Sequence, residues 1–205
     1  MSNVLGLYGS SVHLCIDMQR LFAEVTAWHT PALEGIIPKV AALARAAPNQ
    51  TLWARFIVPP HADAATGRWR HYYRRWAEIT GDRLDPVLLD LIEPLAGLAD
   101  PGSIFDKSGY SIFDTPTFVA RLQAEAVDTI VFSGVETDVC VLASVFDAID
   151  RGYRVVIPVD AVASSSPDSH RAVVDTLLPR LAEQVDLVRT SDVVAAWGGA
   201  SGKHD

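Results

Sequence analysis

The sequence predicts an α/β fold: a single domain over residues 1–205 on a doubly wound, mostly parallel six-stranded sheet with helices on both faces. Three observations carry this expectation. Six apolar runs alternate with segments of helical periodicity, which is the pattern of successive βαβ units. Runs such as "TIVF" (129–132) and "RVVIPV" (154–159) are nearly continuous rather than alternating, so both faces of the sheet are covered. The chain is 49% hydrophobic over 205 residues, enough for one sizeable core.

In chain order, "SVHLCID" (11–17) reads as a buried strand ending on Asp17. "ALEGIIPKVAALARAA" (32–47) has helical spacing and Pro48 closes it. "QTLWARFIV" (50–58) is a second strand, stopped by Pro59 and Pro60. The insertion that follows, through "HADAATGRWRHYYRRWAEIT" (61–80), fits neither period. A stretch of that kind either contributes to function or packs against a partner subunit. "PVLLDLIEPLAG" (86–97) predicts a short helix and "GSIFDK" (102–107) a strand ending at Lys107. "TPTFVARLQAEA" (115–126) predicts a helix with Thr115 as cap and Pro116 at its first position. "DTIVFSG" (128–134), "DVCVLASVFDAIDRG" (138–152) and "YRVVIPVDA" (153–161) form a strand, helix, strand unit, with Gly152 stopping the helix. "SPDSHRAVVDTLLPRLAEQ" (166–184) is a further helix and "VDLVRT" (185–190) the last strand. The ends, Met1–Ser10 and Gly198–Asp205, read as loose.

The formal charge of −8 argues against nucleic-acid binding, and no apolar run is long enough to cross a membrane. No signal-peptide pattern opens the chain, and two cysteines do not make a disulfide framework. The expected setting is reducing and cytoplasmic.

In a doubly wound sheet of the Rossmann-like kind, the site lies beyond the carboxyl ends of the strands. Asp17, Arg55, Lys107, the loop before Cys140 and Asp160 stand there. Taken singly, each has a plain structural reading: a turn aspartate, a solvated lysine, a free cysteine facing the core. Together they supply a nucleophile at a helix start, a carboxylate to take its proton and an ammonium to hold the negative charge. Cys15, inside an apolar strand, reads as core.

Three motifs in this order resemble the isochorismatase-like cysteine hydrolases, a family that includes nicotinamidases, N-carbamoylsarcosine amidases and ureidoacrylate amidohydrolases. "CIDMQRLF" (15–22) resembles the family's Asp-x-Gln-x-x-Phe pattern, and "DKSGYSIFDT" (106–115) its Lys-x-x-x-Ser-x-Phe-x-x-Thr segment. "SGVETDVCVLAS" (133–144) resembles its Gly-aliphatic-x-Thr-x-x-Cys-Val signature, and "VIPVDAVASSSPDSH" (156–170) its following strand and loop. The resemblance covers nearly the whole chain. It implies an Asp17, Lys107, Cys140 triad and a cis peptide between Val135 and Glu136. It further implies an oxyanion hole from the Glu136 and Cys140 backbone N–H groups. The implied reaction is hydrolysis of a small amide or ureide through a thioester, without a cofactor, in a homodimer or homotetramer.

Two other readings stand beside it. Some family members cleave a vinyl ether by acid catalysis from the aspartate, and a non-catalytic interaction module could keep the fold. Of six histidines, only His170 follows a loop at the active edge, where the resemblance makes it a support rather than a base. His61, Asp63 and His71 have the residue types of the nicotinamidase metal site in a different order, so a metal-free polar loop is expected there. Gln19, Phe22, Arg55, Trp69, Tyr73, Trp76, Tyr110 and Phe113 are the candidates for substrate contact. The "GRWRHYYRRW" segment (67–76) could equally line a subunit interface, where Trp, Tyr and Arg are enriched.

Overall fold

A computed structural model of the chain describes residues 10–198. The tails expected to be loose fall almost wholly outside that range. The elements are β1 (Ser11–Ile16), α1 (Arg20–Ala23), α2 (Leu33–Ala46), β2 (Thr51–Phe56), α3 (Gly67–Arg75), α4 (Glu93–Ala96), β3 (Ile104–Lys107) and α5 (Pro116–Ala124). They continue with β4 (Thr129–Val135), α6 (Leu142–Asp150), β5 (Arg154–Pro158), β6 (Val162–Ala163), α7 (Pro167–Arg171), β7 (Val185–Val188) and α8 (Thr190–Gly198).

The sheet runs β3-β2-β1-β4-β5-β7, with β6 also pairing β4, and every pair is parallel. β1 and β4 are its centre. Every residue of both is buried, and the two polar side chains that face each other inside them, His13 and Ser133, are hydrogen-bonded at 2.7 Å. From β1 the chain builds outward to β2 and β3 on one side, then returns to start β4, β5 and β7 on the other. The strand order therefore reverses between β1 and β4, and the crevice opens beyond their carboxyl ends. Asp17 follows β1 and Glu136 follows β4.

The sheet has seven strands rather than six. "YRVVIPVDA" is not one strand, because it ends at Pro158, which has no N–H to continue a ladder. Val159 to Ala161 turn, with the Ala161 N–H donating to Pro158 O at 2.8 Å, and β6 then pairs the far end of β4 at Gly134 and Val135. Other expectations also change. "PVLLDLIEPLAG" forms two short turns rather than one helix, because each proline starts its own and the Leu91 backbone bridges to Gln19 between them. The helix after Ser166 passes through a wide π-type stretch at Ala172–Leu177 and a tight turn at Leu178–Leu181, around Pro179. Thr115 occupies the cap position of α5 but donates its hydroxyl to Asp106 O at 3.0 Å instead. α3 lies inside the insertion that fits neither period, and α8 was not anticipated. Among the described residues no helix is long and apolar enough to cross a membrane.

Gly134 sets the approach of the two central strands. Its φ is +106°, and a Cβ there would lie 2.0 Å from Ile16 O and 2.8 Å from Ile16 N. Neither backbone atom can move without breaking the β1–β4 ladder. Gly134→Ala is expected to cost about 3 kcal/mol or more, read as a large fall in melting temperature or loss of soluble protein. A melting temperature within a few degrees of wild type would show that β1 and β4 can separate cheaply.

Candidate active site

Asp17 leaves β1 with φ +53°, a left-handed conformation that aspartate tolerates better than most side chains. That bend ends the strand and leaves the carboxylate wholly buried. Lys107, the last residue of β3, reaches it from two strands away. Its Nζ donates to Asp17 Oδ2 at 2.8 Å and to Gly109 O at 3.3 Å. The ammonium also sits 4.7 Å from the Phe56 ring centroid. Both side chains are at most 1% exposed, so neither charge is solvated and each needs the other.

Cys140 arrives from the other half of the sheet. β4 ends at Val135, the Val135–Glu136 peptide is cis, and Thr137–Val141 form one wide helical turn that runs into α6. Ser144 Oγ donates to the Cys140 carbonyl at 2.8 Å and so fixes the turn against α6. Two further bonds pin the turn to the loop after β6. Ser164 Oγ donates to Asp138 Oδ1 at 2.5 Å, and Thr137 Oγ1 shares a bond with His170 Nδ1 at 2.9 Å. His170 therefore braces the loop and does not line the cavity that holds Cys140.

The thiol stands against both Asp17 and Lys107 without a well-aligned bond to either; Asp17 Oδ1 is buried and accepts no hydrogen bond. Such an oxygen is costly to leave bare unless it has chemical use. Burial pushes the Asp17 pKa above the ordinary carboxylate value, and the Lys107 charge offsets this only in part. For Cys140, burial first and the Asp17 charge second push the thiol pKa up, with Lys107 opposing. Burial alone would lower Lys107, but the charges of Asp17 and Cys140 outweigh it and raise its pKa. A helix start favours the thiolate and burial opposes it; Cys140 is only 6% exposed. The three groups form one buried cluster, with Lys107 as the cation beside the Asp17 and Cys140 acids, and their titrations are coupled.

Cys140 lines a cavity of about 270 Å³. Of the substrate candidates, Phe22, Trp69, Trp76 and Tyr110 line it as well. Tyr73 does not; it packs against Trp28 and Trp69 and faces a neighbouring cavity beside Lys107. Gln19 is fully buried and spends its amide on backbone, donating to Phe56 O and Leu89 O and accepting from Phe56 N at 2.7 Å. Arg55 pairs with Asp106 at 2.9 Å and Asp90 at 3.6 Å. Phe113 packs on Phe118 and Tyr153 beside α5. These four hold the frame rather than line the Cys140 cavity.

Sequence reasoning missed Trp28, His29 and Tyr72, which line the cavity. Tyr72 had a signal: Trp69, Tyr72, Tyr73 and Trp76 are spaced i, i+3, i+4, i+7, one face of a helix. Trp28 had none, since it sits on an irregular stretch between α1 and α2. Asp63 is paired with Arg74 at 2.8 Å, and among the described residues no group of three His, Cys, Asp or Glu side chains is placed to hold a metal ion.

A family model described as Isochorismatase domain matches residues 11–188. A maleamate amidohydrolase of Pseudomonas putida is 31% identical over 98 residues, covering 44% of this chain. The chain spans 46% of that relative's length. A protein of Arabidopsis thaliana named probable inactive nicotinamidase is 27% identical over 78% of this chain and 83% of its own. Among solved structures, a cysteine hydrolase of Pseudomonas syringae pv. phaseolicola 1448A aligns with a TM-score of 0.77 at 28% identity, covering 93% of each chain.

Proposed function

The chain belongs to the isochorismatase family, and on that premise we propose that it is a cysteine hydrolase cleaving the C–N bond of a small amide or ureide. The observation that carries the reading is the convergence at one crevice of a buried Asp17–Lys107 pair and a cysteine that lines a substrate-sized cavity.

In this reading one proton is shared between Asp17 and Cys140, and the mechanism follows from it. Asp17 takes the thiol proton as the Cys140 sulfur attacks the carbonyl carbon, so a free buried thiolate need never accumulate beside a second anion. Lys107 keeps the net charge of the cluster constant while the anion moves from oxygen to sulfur to the tetrahedral oxyanion. The Glu136 and Cys140 backbone N–H groups receive that oxyanion. Asp17, now protonated, hands its proton to the departing nitrogen, and the C–N bond breaks to leave a thioester. A water molecule deprotonated by the same carboxylate then hydrolyses it. In this reading the protein acts as a homodimer or homotetramer, as the family resemblance implies, in the reducing cytoplasm that its two cysteines without a disulfide framework suggest, on a small-molecule substrate.

Ammonia release from a panel including nicotinamide, biuret, maleamate and N-carbamoyl amino acids tests the reading; silence across every amide and ureide tried would sink it. Its pH dependence is a sharper check. The base must be ionised, and the Asp17 pKa is raised, so kcat/KM falls as pH drops with a midpoint above the ordinary aspartate value of about 4. The Cys140 pKa is raised too, so the shared proton stays in place and the rate is flat across neutral and mildly alkaline pH. A rate that instead climbs through about pH 8.5, the range of a free thiol, would contradict proton sharing.

A further inference from the structure

The walls of the Cys140 cavity are ordered by charge as well as by shape. Phe22, Trp28, Phe56, Trp69, Tyr72 and Trp76 give it aromatic sides; His29 also lines it, and among the described residues no lysine or arginine does. Lys107 is spent on Asp17 behind the sulfur and is not part of the lining. Arg68 and Arg75 belong to a separate depression that shares Trp69, Tyr72, Trp76 and Tyr110 with this cavity, and Arg75 lies over the Trp76 ring at 5.2 Å.

Glu136 does line the cavity. Its hydrogen bonds fall on one oxygen: Thr30 Oγ1 donates to Oε1 at 3.1 Å and the Ser165 N–H at 2.9 Å. Among the described residues Oε2 accepts no hydrogen bond and no cation pairs with the carboxylate. The Glu136 charge also reaches the site, since it contributes to raising the pKa of Asp17 and of Tyr72 in the cavity wall. An aromatic slot with one uncompensated carboxylate suits an uncharged or positively charged guest, because ring faces attract cations and the carboxylate repels anions.

Resting on the amide-hydrolase reading, we propose that this site takes uncharged and cationic amides and rejects those bearing a carboxylate, with the Glu136 side chain as the specificity-determining group. Half-amides of dicarboxylic acids and N-carbamoyl amino acids are then poor substrates. The acid formed from a neutral amide (R–CO–NH2 + H2O giving R–COO⁻ and NH4⁺) is pushed out by the same charge.

Three ligands built on one carbamoyl-bearing six-membered ring test this: benzamide, 1-methyl-3-carbamoylpyridinium and 3-carbamoylbenzoate. Dissociation constants are measured by calorimetry on Cys140→Ala, where no turnover interferes, and kcat/KM by ammonia release on wild type. The anion is expected to bind about 30-fold more weakly than benzamide, or worse, and the cation at least as tightly as benzamide. Glu136→Gln keeps an acceptor for Thr30 and Ser165 and removes the charge, so the anion-to-benzamide affinity ratio should rise about tenfold or more. An anion within threefold of benzamide, no binding by the neutral and cationic ligands, or a ratio unmoved in a folded Glu136→Gln protein each overturns the proposal. The wild-type and Cys140→Ala series decides without that variant. If the affinity order holds while wild type turns over no amide or ureide, the charge selection stands and the hydrolase reading falls.

Discussion

Cys140→Ala should release no ammonia above background from any amide that wild type hydrolyses, a loss of about 10³-fold or more in kcat, while melting at nearly the wild-type temperature. Both halves follow from the site. The substitution removes one sulfur from a side chain that lines a cavity, and it leaves in place the bonds that hold the turn, from Ser144 to the Cys140 carbonyl and from His170 to Thr137. The proposed chemistry, by contrast, loses its nucleophile. Asp17 cannot substitute for it, being wholly buried and tied to Lys107 through Oδ2. Turnover of amides that persists in Cys140→Ala would sink the nucleophile and favour acid catalysis from Asp17, the chemistry of the vinyl-ether readings. Loss of turnover with a collapsed melting curve would leave only a structural role for the sulfur.

The strand ends were legible because ionisable side chains gather at the carboxyl ends of a buried parallel sheet, and Asp17 and Lys107 follow apolar runs there. That Lys107 crosses two strands to meet Asp17 is a fact of sheet order, which no local pattern encodes. The cavity walls were less legible, for two physical reasons. Arginines between the aromatics of α3 hid a helical stripe from a reading that weighs apolar periodicity, although Trp69, Tyr72, Tyr73 and Trp76 spell it out. Residue type alone also misassigned Gln19, Arg55 and Phe113, because an amide, a guanidinium or a ring serves framework and substrate equally well. Gln19 shows the point: its side chain sits two residues from Asp17 and satisfies the backbone of Phe56 and Leu89. For the thiol, the helix start favours a lowered pKa while burial pushes it up, and depth of burial is a tertiary property that the sequence does not display.

The buried pair yields the second large effect, and it appears in a double-mutant cycle. Asp17→Asn and Lys107→Met should each abolish turnover, the first by removing the base, the second by removing the charge that lets one anion move through the cluster. Each should also destabilise the fold, by about 3 kcal/mol or more, because it leaves its former partner buried without a counter-ion. The partner will change its protonation state rather than stay charged, and that enforced titration is part of the cost. In Lys107→Met the Asp17 carboxyl, already raised by burial, rises further because the Lys107 charge no longer opposes that shift. The double variant removes both charges and both desolvation penalties together. It should therefore be more stable than the weaker single variant while remaining inactive, with a coupling of about 2 kcal/mol or more by denaturant unfolding. Additivity within about 0.5 kcal/mol would mean the two groups do not sense each other, which a 2.8 Å contact between side chains at most 1% exposed does not allow. Stability and activity thus part company at this pair: the protein retains a charge pair that an apolar replacement could rival in stability, because only the charged pair can move a proton.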